Sequence, residues 1–230
     1  MADITSNLDL HWKFNDGSGS SAADSSGNGR TGTLSNAPSW TTGQWGCSAI
    51  TFNGSNSNVY YTPYTVPTTG TLSFWFKPGR AFNSGVNEVI FNLGGSTNFH
   101  ANHWVDNHLY IGFIQGGGGD FRVNVTLDSN NWTQGVWQQY VLTWVSGGAT
   151  QFYRNNTQVG ATVNGTNSTL ATNTFRVGTI DAQLNGISGD LQDIRVYSRV
   201  LSANDIAALY AYTGAATGIP PTNQYLRFGF

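Results

Sequence analysis

Three histidines fall within nine residues of the stretch FHANHWVDNHLY: His100, His103 and His108. Imidazoles at such short spacing are the raw material of a zinc or copper site. A metal site also needs a further aligned ligand and outer hydrogen bonds that fix the rings. Asp106-Asn107, between the last two histidines, reads instead as a hairpin turn. The expected role of His103 and His108 is therefore a cross-strand pair flanking that turn, on a surface where imidazole and aromatic rings stack on a sugar or a partner. The carboxylates argue against hydrolysis. Cleaving a glycosidic bond usually takes two carboxyl groups held across it. The chain has one glutamate, Glu88, and no strand-like run carries two acids at i, i+2 or i, i+4. Asp190 and Asp193 stand at i, i+3, which strict alternation sends to opposite faces. Cys47, the single cysteine, reads as a small hydrophobe entering a strand. There is no Gly-x-Ser-x-Gly elbow and no phosphate loop. The expectation is a protein that is not an enzyme.

Composition narrows the partners. Charged residues are 10% of the 230, and the net charge is −2 with no run of Lys or Arg. That leaves no electrostatic footprint for nucleic acid and no polybasic patch for an anionic membrane. Hydrophobic residues at 39% and aromatics at 13% supply a core large enough for one domain. The start, MADITSNLDLHW, carries no basic segment followed by an apolar one, so no secretory signal is expected.

The elements that must position these side chains alternate with period two. TLSFWFKPG (71–79) sends Leu72, Phe74 and Phe76 one way and Ser73, Trp75 and Lys77 the other. VWQQYVLTWVSGG, HLYIGFIQ and GDLQDIRVYSR read as further strands, the last with Leu191, Asp193, Arg195 and Tyr197 on one side. TQFYRNNTQVG reads as a hairpin turning at Asn155-Asn156. One stretch changes period: LSANDIAALYAY (201–212) sets Ile206, Leu209 and Tyr210 at i, i+3 and i+4, with Ser202 as N-cap and Asp205 closing a capping box. The pattern predicts an all-β, two-sheet antiparallel jelly-roll sandwich with one short C-terminal helix.

Three stretches together, LDLHWKFNDGSGSSAADSSGNGRTGTL, VWQQYVLTWVSGGATQFYRNNTQVG and GDLQDIRVYSRVLSANDIAALY, resemble the laminin-G-like, concanavalin A-like lectin/glucanase jelly rolls over roughly 8–212. The resemblance implies two stacked antiparallel sheets with the first and last strands adjacent. It also implies a structural calcium ion between the DSSGNG loop and the LQDIRVY strand. Asp24 and Asp193 would then supply carboxylates, and Gly27 and Asn28 the turn that aims carbonyl oxygens at the ion. The other reading of the loop is a set of Asx turns.

With catalysis set aside, recognition or assembly remains. The expected organisation is a jelly-roll domain over 1–212 and a partner-docking extension over 213–230. In that extension Tyr225, Leu226, Phe228 and Phe230 form an apolar end. The resemblance and the neutral surface point to a phage virion-surface protein: a capsid decoration protein, head fibre or tail adhesin. Its partner would be a protein or further copies of the same chain. The alternative is a carbohydrate-binding module of an extracellular or cell-surface protein. Its sugar-stacking candidates are Trp104, Tyr110 and Trp132, with His103 and His108 beside them.

Overall fold

The computed structural model describes residues 2–94, 99–114, 120–165, 172–180 and 185–213. The tail residues Tyr225, Leu226, Phe228 and Phe230 lie outside the described residues. In chain order the strands are β1 (Leu8–Trp12), β2 (Ser21–Ala22), β3 (Gly32–Ser35), β4 (Ser39–Thr42), β5 (Ser48–Asn53), β6 (Asn58–Tyr64), β7 (Gly70–Pro78), β8 (Glu88–Leu93) and β9 (Phe99–Trp104). They continue with β10 (His108–Ile114), β11 (Asp120–Thr126), β12 (Gln138–Trp144), β13 (Gly148–Arg154), β14 (Thr157–Gln158), β15 (Val163–Gly165), β16 (Asn173–Val177) and β17 (Ser188–Tyr197), followed by one helix, α1 (Ala203–Tyr210). A nine-stranded antiparallel sheet runs β14-β13-β12-β7-β17-β5-β4, with β1 beside β17 and β15 beside β13. An eight-stranded one runs β11-β10-β9-β8-β16-β6-β3-β2. The first and last strands are neighbours, with Leu8 opposite Tyr197 and Trp12 opposite Ile194.

Alternation builds the core between the sheets. Leu72, Phe74 and Phe76 of β7 face Phe91, Phe99, Ile111 and Val123 of the other sheet across a single buried cluster. Phe99 sits at its centre, with ring centroids 4.8 Å from Phe91, 4.6 Å from Phe113 and 5.2 Å from Trp144. Each such side chain stabilises the fold by ~1.5–3 kcal/mol relative to exposure. The hairpin after β13 turns through Asn155 (φ 46°) and Asn156 (φ 65°), the left-handed region that asparagine tolerates. The helix starts at Ser202 with the expected capping box from Asp205. Ile206 and Leu209 pack on Val141, Tyr197 and Leu201, so the helix covers part of the nine-stranded sheet's outer face.

One strand departs from simple alternation. In β17, Leu191, Ile194 and Val196 all join the core. Two residues, Gln192 and Asp193, thus stand between successive inward positions. The register shifts there, and Asp193 adopts φ 53°. This bulge corrects the expected face of Leu191, which points inward while Asp193 and Arg195 point outward. It also places Asp190 and Asp193 on the same face rather than opposite ones. The cause is a change of neighbour. Residues 188–191 of β17 pair with β5, and β1 takes over from Ile194. An extra residue at the junction re-aims the strand between two end-to-end partners.

Candidate functional site

The alternation that buries Phe99, Ala101, Leu109, Ile111, Val123 and Val125 turns their neighbours outward. On the outer face of the eight-stranded sheet, register aligns these neighbours into three rows. They are Trp104–His108–Thr126, Asn102–Tyr110–Asn124 and His100–Gly112–Arg122. Tyr110 is the centre of the patch. Its ring lies 5.9 Å from His108 and 4.9 Å from the Arg122 guanidinium, and its hydroxyl donates to Asp106 Oδ2 at 2.9 Å. Asp120 holds Arg122 through Nε at 2.9 Å and Nη2 at 2.6 Å, and that pairing draws the Asp120 carboxyl below its ordinary pKa. His108 Nδ1 donates to the Asp106 carbonyl at 2.9 Å, leaving Nε2 to accept from the Thr126 hydroxyl at 3.1 Å.

The remaining nitrogen of Arg122, Nη1, reaches His100 Nε2 at 3.3 Å. A guanidinium only donates, so Nε2 accepts and the His100 proton sits on Nδ1. Among the described residues that Nδ1 has no hydrogen-bond partner, and neither has Asn102 Oδ1. Burial first, and then the charge of Arg122, hold the His100 pKa down to about 4, so the ring is neutral near pH 7. Gly112 stands between the pair in its row and adds no side chain. A Cβ there would meet the Phe121 carbonyl oxygen at 2.8 Å.

Two of the aromatic candidates fall elsewhere. Trp104 is 40% exposed on the outer face, whereas Trp132 is 1% exposed, in the core. Its Nε1 donates to the Arg80 carbonyl at 3.0 Å and its ring meets Phe76 edge-on at 5.5 Å. His103 is also buried and does not pair with His108. The loop 105–107 sets Trp104 opposite His108 and His103 opposite Leu109, so His103 shares the inward parity of Phe99 and Ala101. Its Nε2 donates to the Phe82 carbonyl at 2.7 Å, and its Nδ1 lies 3.4 Å from Glu88 Oε2. The three histidines diverge, and no cluster of three His, Cys, Asp or Glu side chains forms among the described residues. Cys47 is half-buried rather than in the core, and its sulfur accepts from Gln192 Nε2 at 3.0 Å. Arg122, Asn124 and Asn102 were missed as site residues. The signal for two of them is the alternation in DFRVNVT, whose polar set is Arg122, Asn124 and Thr126.

The calcium ligands do not fit the ion. Asp24 Oδ1 accepts from the backbone N–H of His11 at 3.0 Å and of Ser26 at 2.9 Å. Its Oδ2 accepts from the Ser26 hydroxyl at 2.8 Å and the Arg30 N–H at 2.9 Å. A carboxylate offers about four lone-pair sites, and protein donors meet them all. Burial favours the neutral acid, yet the N–H donors of Arg30, Ser26 and His11 keep the Asp24 pKa below its ordinary value. Asn28 Nδ2 donates to the carbonyls of Leu8 and Asp9, both at 3.0 Å. Gly27 makes the turn at φ 88°. The cation that clips this loop to β1 is Arg30, which pairs with the Asp9 carboxylate at 2.5 Å beneath the Tyr64 ring. Asp193, the second proposed carboxylate, binds Arg195 Nε at 3.0 Å and His11 Nε2 at 2.7 Å instead. The loop is the Asx-turn alternative. A chelator should therefore leave the melting temperature unchanged. A bound ion at 100 times its dissociation constant would contribute ~2.7 kcal/mol, so a drop of about 5 °C or more in a thermal melt would restore the calcium assignment.

The sequence profile described as the concanavalin A-like lectin/glucanases superfamily matches residues 62–207. The chain belongs to this superfamily. No curated protein matches the chain in sequence. Solved structures share the fold at low identity. The binding domain of botulinum neurotoxin DC in complex with SialylT is 15% identical with a TM-score of 0.74, over 91% of this chain and 52% of that one. The binding domain of Paraclostridial Mosquitocidal Protein 1 is 14% identical with a TM-score of 0.75, over 90% and 52%. A third structure is the binding domain of botulinum neurotoxin DC in complex with rat synaptotagmin II, 13% identical with a TM-score of 0.74 over 92% and 52%. The chain spans about half the length of these relatives. Within the superfamily's lectin-like fold, no helix among the described residues is long and apolar enough to cross a membrane.

Proposed function

We propose that this chain is a non-catalytic recognition domain that binds glycans on the outer face of β9, β10 and β11. The observation that carries the reading is the set of three cross-strand rows. They offer an exposed indole (Trp104), a phenol under a guanidinium (Tyr110 and Arg122), and an exposed amide at Asn124, with Asn102 buried beneath. Flat rings meet the apolar face of a sugar, and amides with an arginine meet its hydroxyls. Asn102 Oδ1 and His100 Nδ1, buried and without a partner among the described residues, lie beneath the same surface. Two of the structural neighbours were solved in complex with SialylT and with rat synaptotagmin II, so the fold hosts recognition of both a glycan and a protein in those proteins.

The acids do not support hydrolysis. Glu88 is buried against Arg80, Asp190 pairs with Lys77, and Asp193 pairs with Arg195. The reading places the domain outside the cell or on a particle surface. The virion placement expected from the resemblance and the neutral surface names Tyr225, Leu226, Phe228 and Phe230 as its docking residues, which lie outside the described residues. The test is a glycan array followed by titration of the best ligand. Trp104→Ala and Asn124→Ala should each weaken binding about tenfold, ~1.4 kcal/mol, with the melting temperature unchanged. No glycan bound by the wild type, or equal affinity in both variants, would overturn the reading.

A further inference from the structure

A concavity of mixed lining, with Phe52 and Pro78 beside polar residues, lies on the other sheet. It opens at the ends of β5, β7 and β17 and has a volume of about 280 Å³. Ligand pockets for drug-sized molecules start at about 300 Å³, so this one suits a single small ring. Its rim includes Thr51, Lys77, Gln134 and Asp190, and its walls include the backbone of Gly79 and Gly189. Register makes the polar set: Asp190 stands opposite Thr51 on β5 and opposite Lys77 on β7. The Thr51 hydroxyl donates to Asp190 Oδ1 at 2.6 Å, and Lys77 Nζ donates to Oδ2 at 3.1 Å.

These bonds leave capacity unused. A carboxylate has about four acceptor sites, and these contacts fill two of those on Asp190. An ammonium has about three donors, and the contact with Asp190 uses one of those on Lys77. Thr51 still accepts, and Gln134, which spends Nε2 on the Gly79 carbonyl at 2.8 Å, keeps its amide oxygen. The pocket thus presents adjacent donors and acceptors around an ion pair of zero net charge. An acidic ligand would face Asp190, and a metal ion would face Lys77. A pair of neighbouring hydroxyls is matched by both, since each can donate to the carboxylate and accept from the ammonium.

We propose that this pocket is a sugar subsite for a neutral hydroxylated ring, independent of the Trp104 face. With that face it would let one domain engage two glycan branches. The test uses the full chain, ¹⁵N-labelled, titrated with methyl glycosides of neutral hexoses and, in parallel, with a hexuronic acid. A neutral glycoside should shift the Gly79, Gly135 and Gly189 amides with a dissociation constant on the order of 1 mM. Lys77→Met and Gln134→Leu should each weaken that binding at least tenfold, while Trp104→Ala leaves it intact. Gln134 is exposed on a loop, so its variant keeps the test valid if Lys77→Met fails to fold. The proposal is overturned if no neutral glycoside moves these amides, if the hexuronic acid moves them as strongly, or if Trp104→Ala abolishes the shifts. A glycan that binds only the Trp104 face would uphold the proposed function and reject this subsite.

Discussion

Glu88→Ala is expected to lower the melting temperature by roughly 10 °C, with no new hydrolytic or binding activity gained or lost. The chain's one glutamate sits at the start of β8 with its side chain fully buried. Its Oε1 accepts from Arg80 Nη1 at 2.6 Å and from the Ser188 backbone N–H at 2.8 Å, while Oε2 faces His103. One carboxylate therefore ties the loop after β7, the start of β17 and an inward residue of β9 together. Removing one partner of a buried pair leaves an uncompensated group and costs about 3–5 kcal/mol. For a chain of this size each kcal/mol moves the midpoint by about 2–4 °C. Glu88→Gln keeps the oxygen that Ser188 uses and should lose about half as much. A thermal melt of both variants checks this. A fall under about 2 °C for the alanine would show that Arg80 and Ser188 find other partners.

The fold was readable because the period-two signal is strong where one face is buried. TLSFWFKPG gave β7 its two faces correctly, and the capping residues of α1 stand in the sequence at the right spacing. The errors share one physical origin, which is that local pattern does not encode the inter-strand register. His103 read as a surface partner of His108 because the loop length between them was unknown, and one residue of register turns the ring into the core. Asp193 read as sharing a face with Leu191 because a bulge leaves no trace in composition. The DSSGNG loop was recognisable as a clip between chain segments. Its cation was not, since Arg30 and Asp9 are 21 residues apart and look like ordinary surface charges. The Asp190–Lys77 pair was hidden for the same reason: its partners are brought together only by pairing of β7 with β17.

Asp193→Asn should be the most informative substitution at the bulge, because asparagine keeps the left-handed backbone while removing the charge. Asparagine tolerates φ 53° at Asp193 better than alanine does. The lost charge leaves Arg195, 3% exposed beneath Tyr212, without its carboxylate. The expected cost at neutral pH is about 3–5 kcal/mol. The double variant Asp193→Asn with Arg195→Met should recover part of it, since the stranded charge is then gone. Acid supplies an independent check. Burial alone would raise the Asp193 pKa, but the Arg195 charge and the His11 hydrogen bond bring it down to about 2 from an ordinary 3.8. A depressed carboxylate contributes stability that is complete above pH 3.8 and is lost as pH falls through 2. That contribution is about 2 kcal/mol. The share of the difference in unfolding free energy between wild type and Asp193→Asn that comes from this carboxylate should therefore be constant above pH 3.8 and narrow by about that amount toward pH 2. His100, held at about 4, and His11, pushed down by burial, act in a separate window. The His100 contribution is full above pH 6.5, shrinks as pH falls below it and is alike in both proteins. Asp193 itself raises the His11 pKa, so Asp193→Asn deepens the His11 depression and widens the gap as pH falls below 6.5. Urea melts at steps from pH 7 to pH 2 resolve the two windows. A gap between the two proteins that does not narrow from pH 3.8 to pH 2 would mean that the Asp193 charge does not hold the bulge, and that the β5-to-β1 junction is fixed by packing alone.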